Sequence, residues 1–215
     1  MRIVVSVFIS LDGVVQAPGG PDEDTDGGFA HGGWSHRWFD AETMGPRFDA
    51  ALQSAGGLLY GRTTYQGMAA AWPERAGDPF ADLMNAMPKY VVSSTLGQDD
   101  LTWENTTLIP GDGAIARLRE LHDAPGGDLI VMGCPTLVRS LLAEGLVDQL
   151  DLLIEPVILG GGKSIFPTDG GMRPLELVES VTASTGVLVS TYRPAADQGE
   201  QEHSWDQLTA EHQAD

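Results

Sequence analysis

Two glycine-containing turns of this sequence follow short apolar runs and precede the start of a predicted helix. In the first, the run Leu58–Tyr60 leads into Gly61, Arg62, Thr63 and Thr64. Free backbone N–H groups and the positive end of the helix dipole attract anions at such a turn. Arg62 adds a guanidinium fork that suits phosphate oxygens. Taken alone, the same pattern is also that of an ordinary capped helix start.

The second turn follows the apolar run that ends at Met132. It contains Gly133, Cys134, Pro135, Thr136 and Leu137. Proline is tolerated in the first turn of a helix, so Pro135 predicts a helix start. An ordinary strand-to-helix loop is the commoner interpretation of one such turn. Two of them on one parallel sheet would meet at the same edge, where open α/β proteins bind ligands.

A third glycine run, Gly160-Gly161-Gly162, precedes Lys163 and Ser164. Its ending is similar to that of a nucleotide-binding P-loop, but residue 157 is valine where that motif requires glycine. The run also leads into Ile165-Phe166-Pro167 rather than into a helix. We therefore exclude nucleotide hydrolysis here and expect either a bulge or a close approach of the backbone to a ligand.

Other reactive side chains give weaker signals. His31 and His36 have no cysteine or carboxylate at metal-ligand spacing, so we predict no metal site. Cys134 is the only cysteine, which excludes an internal disulfide and fits a reducing, cytoplasmic compartment. At a helix start its thiol could be reactive, although a small packed thiol is the commoner case.

The composition restricts the possible partners. The formal net charge of −19 opposes binding to nucleic acid or to anionic membrane surfaces. No apolar run approaches the roughly 18 residues that a membrane-spanning helix needs. Residues 195–215 contain six acidic side chains and no lysine or arginine. We predict one domain over residues 1–194, a mobile acidic tail over 195–215, and a small-molecule partner.

Strand-like and helix-like segments alternate along the chain. The predicted strands are Ile3–Ile9, Gly56–Gly61, Lys89–Ser93, Leu101–Leu108, Asp128–Met132 and Leu150–Leu159. The predicted helices are Ala41–Ser54, one near Thr63, Asp78–Met87, Asp112–His122 and Pro135–Glu144. Leu175–Ser184 and Gly186–Arg193 form a predicted hairpin, and Gln16–His36 is a long loop of the kind that forms lids or binding loops. This order predicts an α/β fold with a mixed, mainly parallel sheet flanked by helices and a C-terminal antiparallel hairpin.

Four motifs occur in a recognisable order: Ser10–Gly13, Gly61–Tyr65, Lys89–Ser94 and the stretch Met132–Phe166. In this order the chain resembles the dihydrofolate-reductase superfamily. It is most similar to the branch that shares the reductase domain of riboflavin biosynthesis, over about residues 2 to 193. The resemblance implies a dihydrofolate-reductase-like fold, a nicotinamide dinucleotide cofactor and a homodimer formed through the edge region of the sheet.

The resemblance also implies where the cofactor lies. Gly61, Arg62, Thr63 and Thr64 match the loop that holds the phosphates of the cofactor in the family. Gly133, Cys134, Pro135, Thr136 and Leu137 match the glycine-rich turn at its pyrophosphate. Ser94 and Thr95 match the positions beside the adenosine ribose and its 2′-phosphate. The backbone of Phe8 matches the strand edge where the nicotinamide amide docks. NADPH is the expected cofactor, with NADH as the alternative, because Ser94 and Thr95 are hydroxyls where many relatives carry an arginine.

Several residues depart from the pattern of true dihydrofolate reductases. Cys134 replaces a usual glycine, and Leu153 stands where a hydroxyl is often found. Asp40, Glu42 and Asp49 fall near the position of the carboxylate that protonates folate, but none aligns with it. We therefore do not expect folate reduction. The deaminase half that often precedes the riboflavin reductase does not occur in this sequence, so that pathway is not expected either.

The leading hypothesis is an NADPH-dependent reductase that transfers a hydride to a small heterocycle or carbonyl, with a pyrimidine- or pterin-like substrate favoured. Gly160, Gly161 and Gly162 would border the substrate. Asp12 is the candidate acid, although aspartate is also common in turns. Trp34, Trp38 and Phe39 would stack on a planar substrate or belong to the core. A non-catalytic dinucleotide- or ligand-binding protein is the alternative, and an interaction module that uses the acidic tail is a third possibility.

Overall fold

The computed structural model describes residues 1–196, and eight strands form one sheet within them. The strands are β1 (Ile3–Ser10), β2 (Ala55–Gly61), β3 (Lys89–Ser93), β4 (Thr106–Pro110), β5 (Asp128–Met132), β6 (Gln149–Glu155), β7 (Leu175–Thr182) and β8 (Leu188–Pro194). Their order across the sheet is β4-β3-β2-β5-β1-β6-β8-β7. The strands from β4 to β6 are parallel, whereas β8 runs antiparallel to both β6 and β7.

Five α-helices connect the parallel strands: α1 (Ala41–Ser54), α2 (Arg62–Ala71), α3 (Pro79–Ala86), α4 (Ala114–Asp123) and α5 (Pro135–Ala143). The carboxylate of Asp40 accepts hydrogen bonds from the Glu42 and Thr43 N–H groups and so caps α1. The connections through α1, α2 and α3 lead from β1 towards the β4 edge of the sheet, whereas those through α4 and α5 lead from β4 back towards β6. Right-handed crossovers therefore place these two groups of helices on opposite faces of the sheet.

Strand β1 is paired unequally with its two neighbours. It pairs with β6 from Val4 to Ser10, but with β5 only from Ile3 to Ser6. Beyond Ser6, the side of β1 that faces β5 therefore has no strand beside it. Since β5 ends at Met132 and is followed by the Gly133 turn, a gap opens in the sheet at its carboxyl edge.

The predicted architecture is confirmed, but the end of one strand and the start of another were wrong by several residues. Strand β6 ends at Glu155 rather than at Leu159, because Pro156 cannot donate to a neighbouring strand and the Val157 N–H turns back to the Glu155 carbonyl. Strand β4 begins at Thr106 rather than Leu101, because the chain before it turns through Asn105, whose φ of 58° is left-handed. The long loop Gln16–His36 contains the short 3-10 turn Asp26–Gly28 and runs into a second one, Trp34–Trp38.

Strand β7 forms one edge of the sheet, and all its residues are exposed. Its apolar side chains include Leu177, Val178 and Val181, which are 56%, 46% and 39% exposed. The predicted acidic tail lies outside the described residues from position 197 onwards. Within residues 1–196, no helix has both the length and the apolar character needed to cross a membrane.

Candidate cofactor and substrate site

The two glycine turns identified in the sequence lie next to each other. Strands β2 and β5 are parallel neighbours, so helices α2 and α5 both begin at the same edge of the sheet. The Gly61 N–H donates a hydrogen bond to Cys134 Sγ over 3.2 Å. A Cβ placed on Gly133 would lie 3.6 Å from Thr64 Cγ2. The structure therefore brings the residues of both predicted phosphate turns into contact.

The second turn needs left-handed backbone at two successive positions. Gly133 has a φ of 70°, and Cys134, the residue that precedes α5, has a φ of 57°. Glycine adopts this region without strain, whereas Cys134 does so as a side-chain-bearing residue. Its side chain is buried against the first turn, and burial raises the pKa of the Cys134 thiol to about 11. The thiol is therefore protonated at neutral pH, and it is packed between the two turns.

Arg62 and Thr63 are exposed at the start of α2, and Thr64 is half-buried. Within residues 1–196, the Arg62 guanidinium makes no hydrogen bond or ion pair with another side chain. Its positive charge lies close enough to Asp26 to help lower the pKa of that carboxyl, after the larger effects of the hydrogen bond and charge of Lys163. The guanidinium thus stands at the mouth of the turn with its donors available to an anion.

Ser94 and Thr95 follow β3, two strands away from β5 on the same carboxyl edge. Both are exposed. The preceding Ser93 hydroxyl accepts hydrogen bonds from the Thr95 and Leu96 N–H groups and holds this turn in place. Together with the β2 and β5 turns and the gap beside β1, these residues line one continuous edge of the sheet.

The backbone of Phe8 lies on the part of β1 that has lost β5 as a neighbour. The Phe8 side chain packs in a cluster with Trp38, Phe48 and Leu153, and the rings of Phe8 and Phe48 are 5.7 Å apart. Phe8 therefore combines an open backbone edge with a side chain on the face covered by α1. No strand of the described residues pairs with this side of β1 beyond Ser6.

The predicted acid, Asp12, is held by three hydrogen bonds. Its carboxylate accepts from Ser10 Oγ at 2.6 Å, from the Leu159 N–H at 3.1 Å and from the Gly160 N–H at 2.8 Å. The Ser10 hydroxyl, followed by the two backbone donors, lowers the pKa of Asp12. This environment favours a carboxylate that fastens the loop after β6 to the end of β1. The predicted role of Asp12 as the catalytic acid is therefore not favoured by this geometry, and it stays a prediction.

The third glycine run lines an open cleft of about 500 Å³ between the loops Asp26–His31 and Leu159–Lys163. The Lys163 ammonium is paired with Asp24 at 2.6 Å and with Asp26 at 2.7 Å. A Cβ on Gly162 would lie 2.6 Å from Val14 Cγ1, whereas Gly160 and Gly161 face open space. The close backbone approach at Gly162 is therefore made to the chain's own β1 turn.

The three predicted stacking residues have different environments. Trp34 is only 8% exposed, and its Nε1–H donates to the Gln16 carbonyl at 2.7 Å, so it belongs to the folded interior. Trp38 is half-buried beside Phe8. Phe39 is 49% exposed. Of the three, Trp38 is thus the residue that packs in the cluster with Phe8.

A second cavity, of about 260 Å³, lies on this face between α1 and strands β1, β6 and β8. Its lining includes Ser6, Phe48, Asp151, Leu153 and Thr191. The Thr191 hydroxyl donates to Asp151 at 2.7 Å. Sequence reasoning named Leu153 only as a departure from the dihydrofolate-reductase pattern and assigned Ser6, Asp151 and Thr191 to no site. Ser6 alternates with Phe8 along an apolar strand and so marks a polar position on the same face.

Glu155, at the end of β6, was also missed. Its carboxyl is fully buried, and the Ser35 hydroxyl donates to Oε1 at 2.5 Å. Within the described residues, the buried Oε2 atom has no hydrogen-bond partner. Burial raises the pKa of Glu155 to about 7, against the opposing effect of the Ser35 hydrogen bond. The available signal was a single charged residue within the apolar run Leu152–Leu159.

Known proteins are similar to this chain in sequence or in structure. The chain is 26% identical over 200 residues to the uncharacterized protein YyaP of Bacillus subtilis (strain 168), covering 89% of this chain and 94% of YyaP. A putative riboflavin biosynthesis protein from Shewanella sp. PV-4 superposes with a TM-score of 0.69 at 19% identity, over 91% of this chain and all of that one.

Two further solved structures are similar. A pyrimidine reductase-like protein from Corynebacterium diphtheriae gives a TM-score of 0.58 at 16% identity, over 91% of this chain and 92% of that one. Dihydrofolate reductase from Enterococcus faecalis, complexed with NADP(H) and RAB-propyl, gives 0.57 at 14% identity, over 91% and 97%. The fold is therefore the predicted dihydrofolate-reductase-like one. Residues 2–189 match the model of the RibD C-terminal domain, and the chain belongs to that reductase-type family.

Proposed function

We propose that this protein is an NADPH-dependent reductase that acts on a small heterocycle or carbonyl compound, with a pyrimidine- or pterin-like substrate favoured. The observation that carries this proposal is the convergence of two helix N-termini beside the gap in the sheet at Phe8. This edge offers donors for phosphates next to a slot for a flat ring. The Enterococcus faecalis relative, which was solved with NADP(H), supports the choice of cofactor.

The residues at this edge fit a dinucleotide. Gly133 has no side chain to block the approach of a pyrophosphate, and the N–H groups in the first turn of α5, which have no partner within the helix, would donate to it. The Gly61 N–H is already used by Cys134, so Arg62 and the following N–H groups of α2 would hold the phosphates. The backbone of Phe8 would hold the nicotinamide amide. When bound, the cofactor supplies the hydride. The chain orients it and excludes water.

The cavity beneath α1 is the proposed substrate pocket. Its volume of about 260 Å³ suits one small ring system. Phe48 and Leu153 provide apolar walls, and the Asp151 carboxylate can accept hydrogen bonds from the N–H edge of an aminopyrimidine or pterin ring. The Phe8 side chain lies on the same face of β1, one step beyond the pocket residue Ser6 towards the carboxyl edge. A planar substrate in the pocket would therefore lie on the face of β1 that carries Phe8, whose backbone would hold the nicotinamide amide.

A non-catalytic dinucleotide-binding protein is the second candidate, and the bonding of Asp12 favours it because that carboxylate is held in its ionised form. The two candidates separate in one experiment. Calorimetric titration with NADPH and NADH tests cofactor binding, and oxidation of bound NADPH is then followed with pterins, pyrimidines, flavins and small carbonyls. Turnover of any of these supports the reductase. Tight binding without turnover supports the binding protein, and absence of binding contradicts both.

The exposed apolar strand β7 supports the proposal of a homodimer. Unpaired strand edges with apolar side chains associate readily, and Leu177, Val178 and Val181 provide such a surface. A second copy of the chain would bury this strand. We place the protein in the cytoplasm, where its single buried cysteine stays reduced.

A further inference from the structure

The register of the sheet places Glu155 close to the proposed reacting groups. Phe8 pairs with Leu153 and Ser10 pairs with Glu155 in the parallel ladder between β1 and β6. Paired residues of parallel strands point to the same face, and a step of two residues spans about 6.6 Å. The Glu155 side chain therefore lies on the α1 face, one step beyond Leu153 and diagonally across from Phe8.

The environment of Glu155 favours a protonated carboxyl. Its side chain is covered by the 3-10 turn Trp34–Trp38, from which only the Ser35 hydroxyl reaches it. Desolvation disfavours the charged form of a buried carboxyl, which is why its pKa rises to about 7. A protonated carboxyl whose Oε1 accepts from Ser35 carries its own hydrogen on Oε2, the atom that has no partner within residues 1–196.

The charged groups on the surrounding elements are engaged elsewhere. Asp12, which follows β1, is bound by Ser10 and by the loop after β6. His36 and Arg37, next to Ser35, are exposed. Asp40 caps α1 and also accepts from the Ser184 hydroxyl at 2.6 Å. No ammonium or guanidinium among the described residues pairs with Glu155, so only the hydrogen bond from Ser35 offsets the cost of burying its charge.

We propose that Glu155 is the proton donor of the reduction, a role that rests on the function proposed above. As a carbon of the substrate accepts the hydride, its neighbouring nitrogen or oxygen gains electron density and takes the proton from Oε2. The O–H bond of Glu155 breaks, the new N–H or O–H bond forms, and the carboxylate is reprotonated from solvent after product release. Ser35 positions the carboxyl by fixing Oε1.

Three variants test this role. Glu155→Gln keeps the shape of the side chain without the acid. It should lower the single-turnover rate of cofactor oxidation by about 10²–10⁴-fold, the range for general acid catalysis. Its NADPH affinity should equal that of the parent, because Glu155 lies at the end of β6 and not at the turns that begin α2 and α5. Glu120→Gln, an exposed residue of α4 paired only with Arg117, is the control and should match the parent.

The pH profile separates a proton donor from a structural residue. The parental rate should fall as pH rises through about 7, where the acid is lost. The hydrogen bond from Ser35 lowers the pKa of Glu155, so Ser35→Ala should move this limb to higher pH. A purely structural role predicts a uniform loss of rate with no such shift. A profile that is unmoved in Ser35→Ala contradicts the assignment.

An infrared measurement on the chain without ligands provides a readout that does not depend on turnover. The difference spectrum of parent and Glu155→Gln should show a protonated carboxyl below the pKa of about 7 that disappears above it. A carboxylate that is ionised at all pH values measured would overturn the proposal. If the parent reduces a substrate and Glu155→Gln reduces it equally fast, only this role fails. If the parent reduces none, the proposed reductase function itself fails.

Discussion

A side chain added at Gly133 should affect the free energy of unfolding and the affinity for NADPH to different extents, and the two effects can be measured separately. With a φ of 70°, Gly133 lies in the left-handed region. A residue with a Cβ is strained there by about 1–2 kcal/mol. The space itself is adequate, because the added Cβ would lie 3.6 Å from Thr64 Cγ2, an ordinary contact. Gly133→Val should therefore fold, with the free energy of unfolding reduced by about 1–2 kcal/mol or somewhat more for a branched side chain.

The same substitution should abolish NADPH binding, because the valine methyl groups would occupy the approach of the pyrophosphate to the start of α5. Gly145 provides a matched control: it follows the same helix, has a φ of 66°, and a Cβ on it meets nothing within 4 Å. Gly145→Val should lose similar stability and bind NADPH normally. Thermal unfolding and calorimetric titration measure the two quantities. If Gly133→Val binds NADPH as tightly as the parent, the cofactor does not cross this turn.

Three further predictions test other parts of the site. Arg62→Ala should weaken NADPH binding by about 1.5–3 kcal/mol, as for a charged hydrogen bond, with little change in melting temperature; equal affinity by calorimetry would remove Arg62 from the site. Asp12→Asn should keep turnover within about tenfold of the parent, because Asp12 holds a loop, whereas a loss of about 10²–10⁴-fold in a steady-state assay would identify Asp12 as the acid. Leu177→Lys should convert the proposed dimer to a monomer in sedimentation analysis, and an unchanged dimer would place the interface elsewhere.

The fold was predictable because its signals are local. Apolar runs punctuated by glycine or proline defined most strands, and Gly61 and Gly133 marked the turns that the structure brings together. The end of β6 was not predictable by the same means, since the apolar run continues to Leu159 beyond the last paired residue, Glu155. Apolar character shows that a segment is buried, but it does not show whether the segment is paired in a sheet.

The chemistry of the carboxyl groups was less predictable, because it depends on contacts between distant parts of the chain. Asp12 receives hydrogen bonds from residues 147 and 148 positions away, and these favour its ionised form. Glu155 meets Ser35 across 120 positions, in an interior that favours its protonated form. Neither environment is visible in the local sequence. Residue type and spacing therefore located a reactive edge without showing which acid on it holds a proton.

A structure of the protein with bound NADPH tests the central claim most directly. We expect the pyrophosphate at the Gly133 turn between the starts of α2 and α5, and the nicotinamide ring in the gap of the sheet with its amide on the backbone of Phe8. The ring should then face the cavity that contains Asp151. A cofactor bound elsewhere, for example in the cleft beside Gly160, or crystals that take up no NADPH at saturating concentration, would contradict the assignment of this edge as the active site.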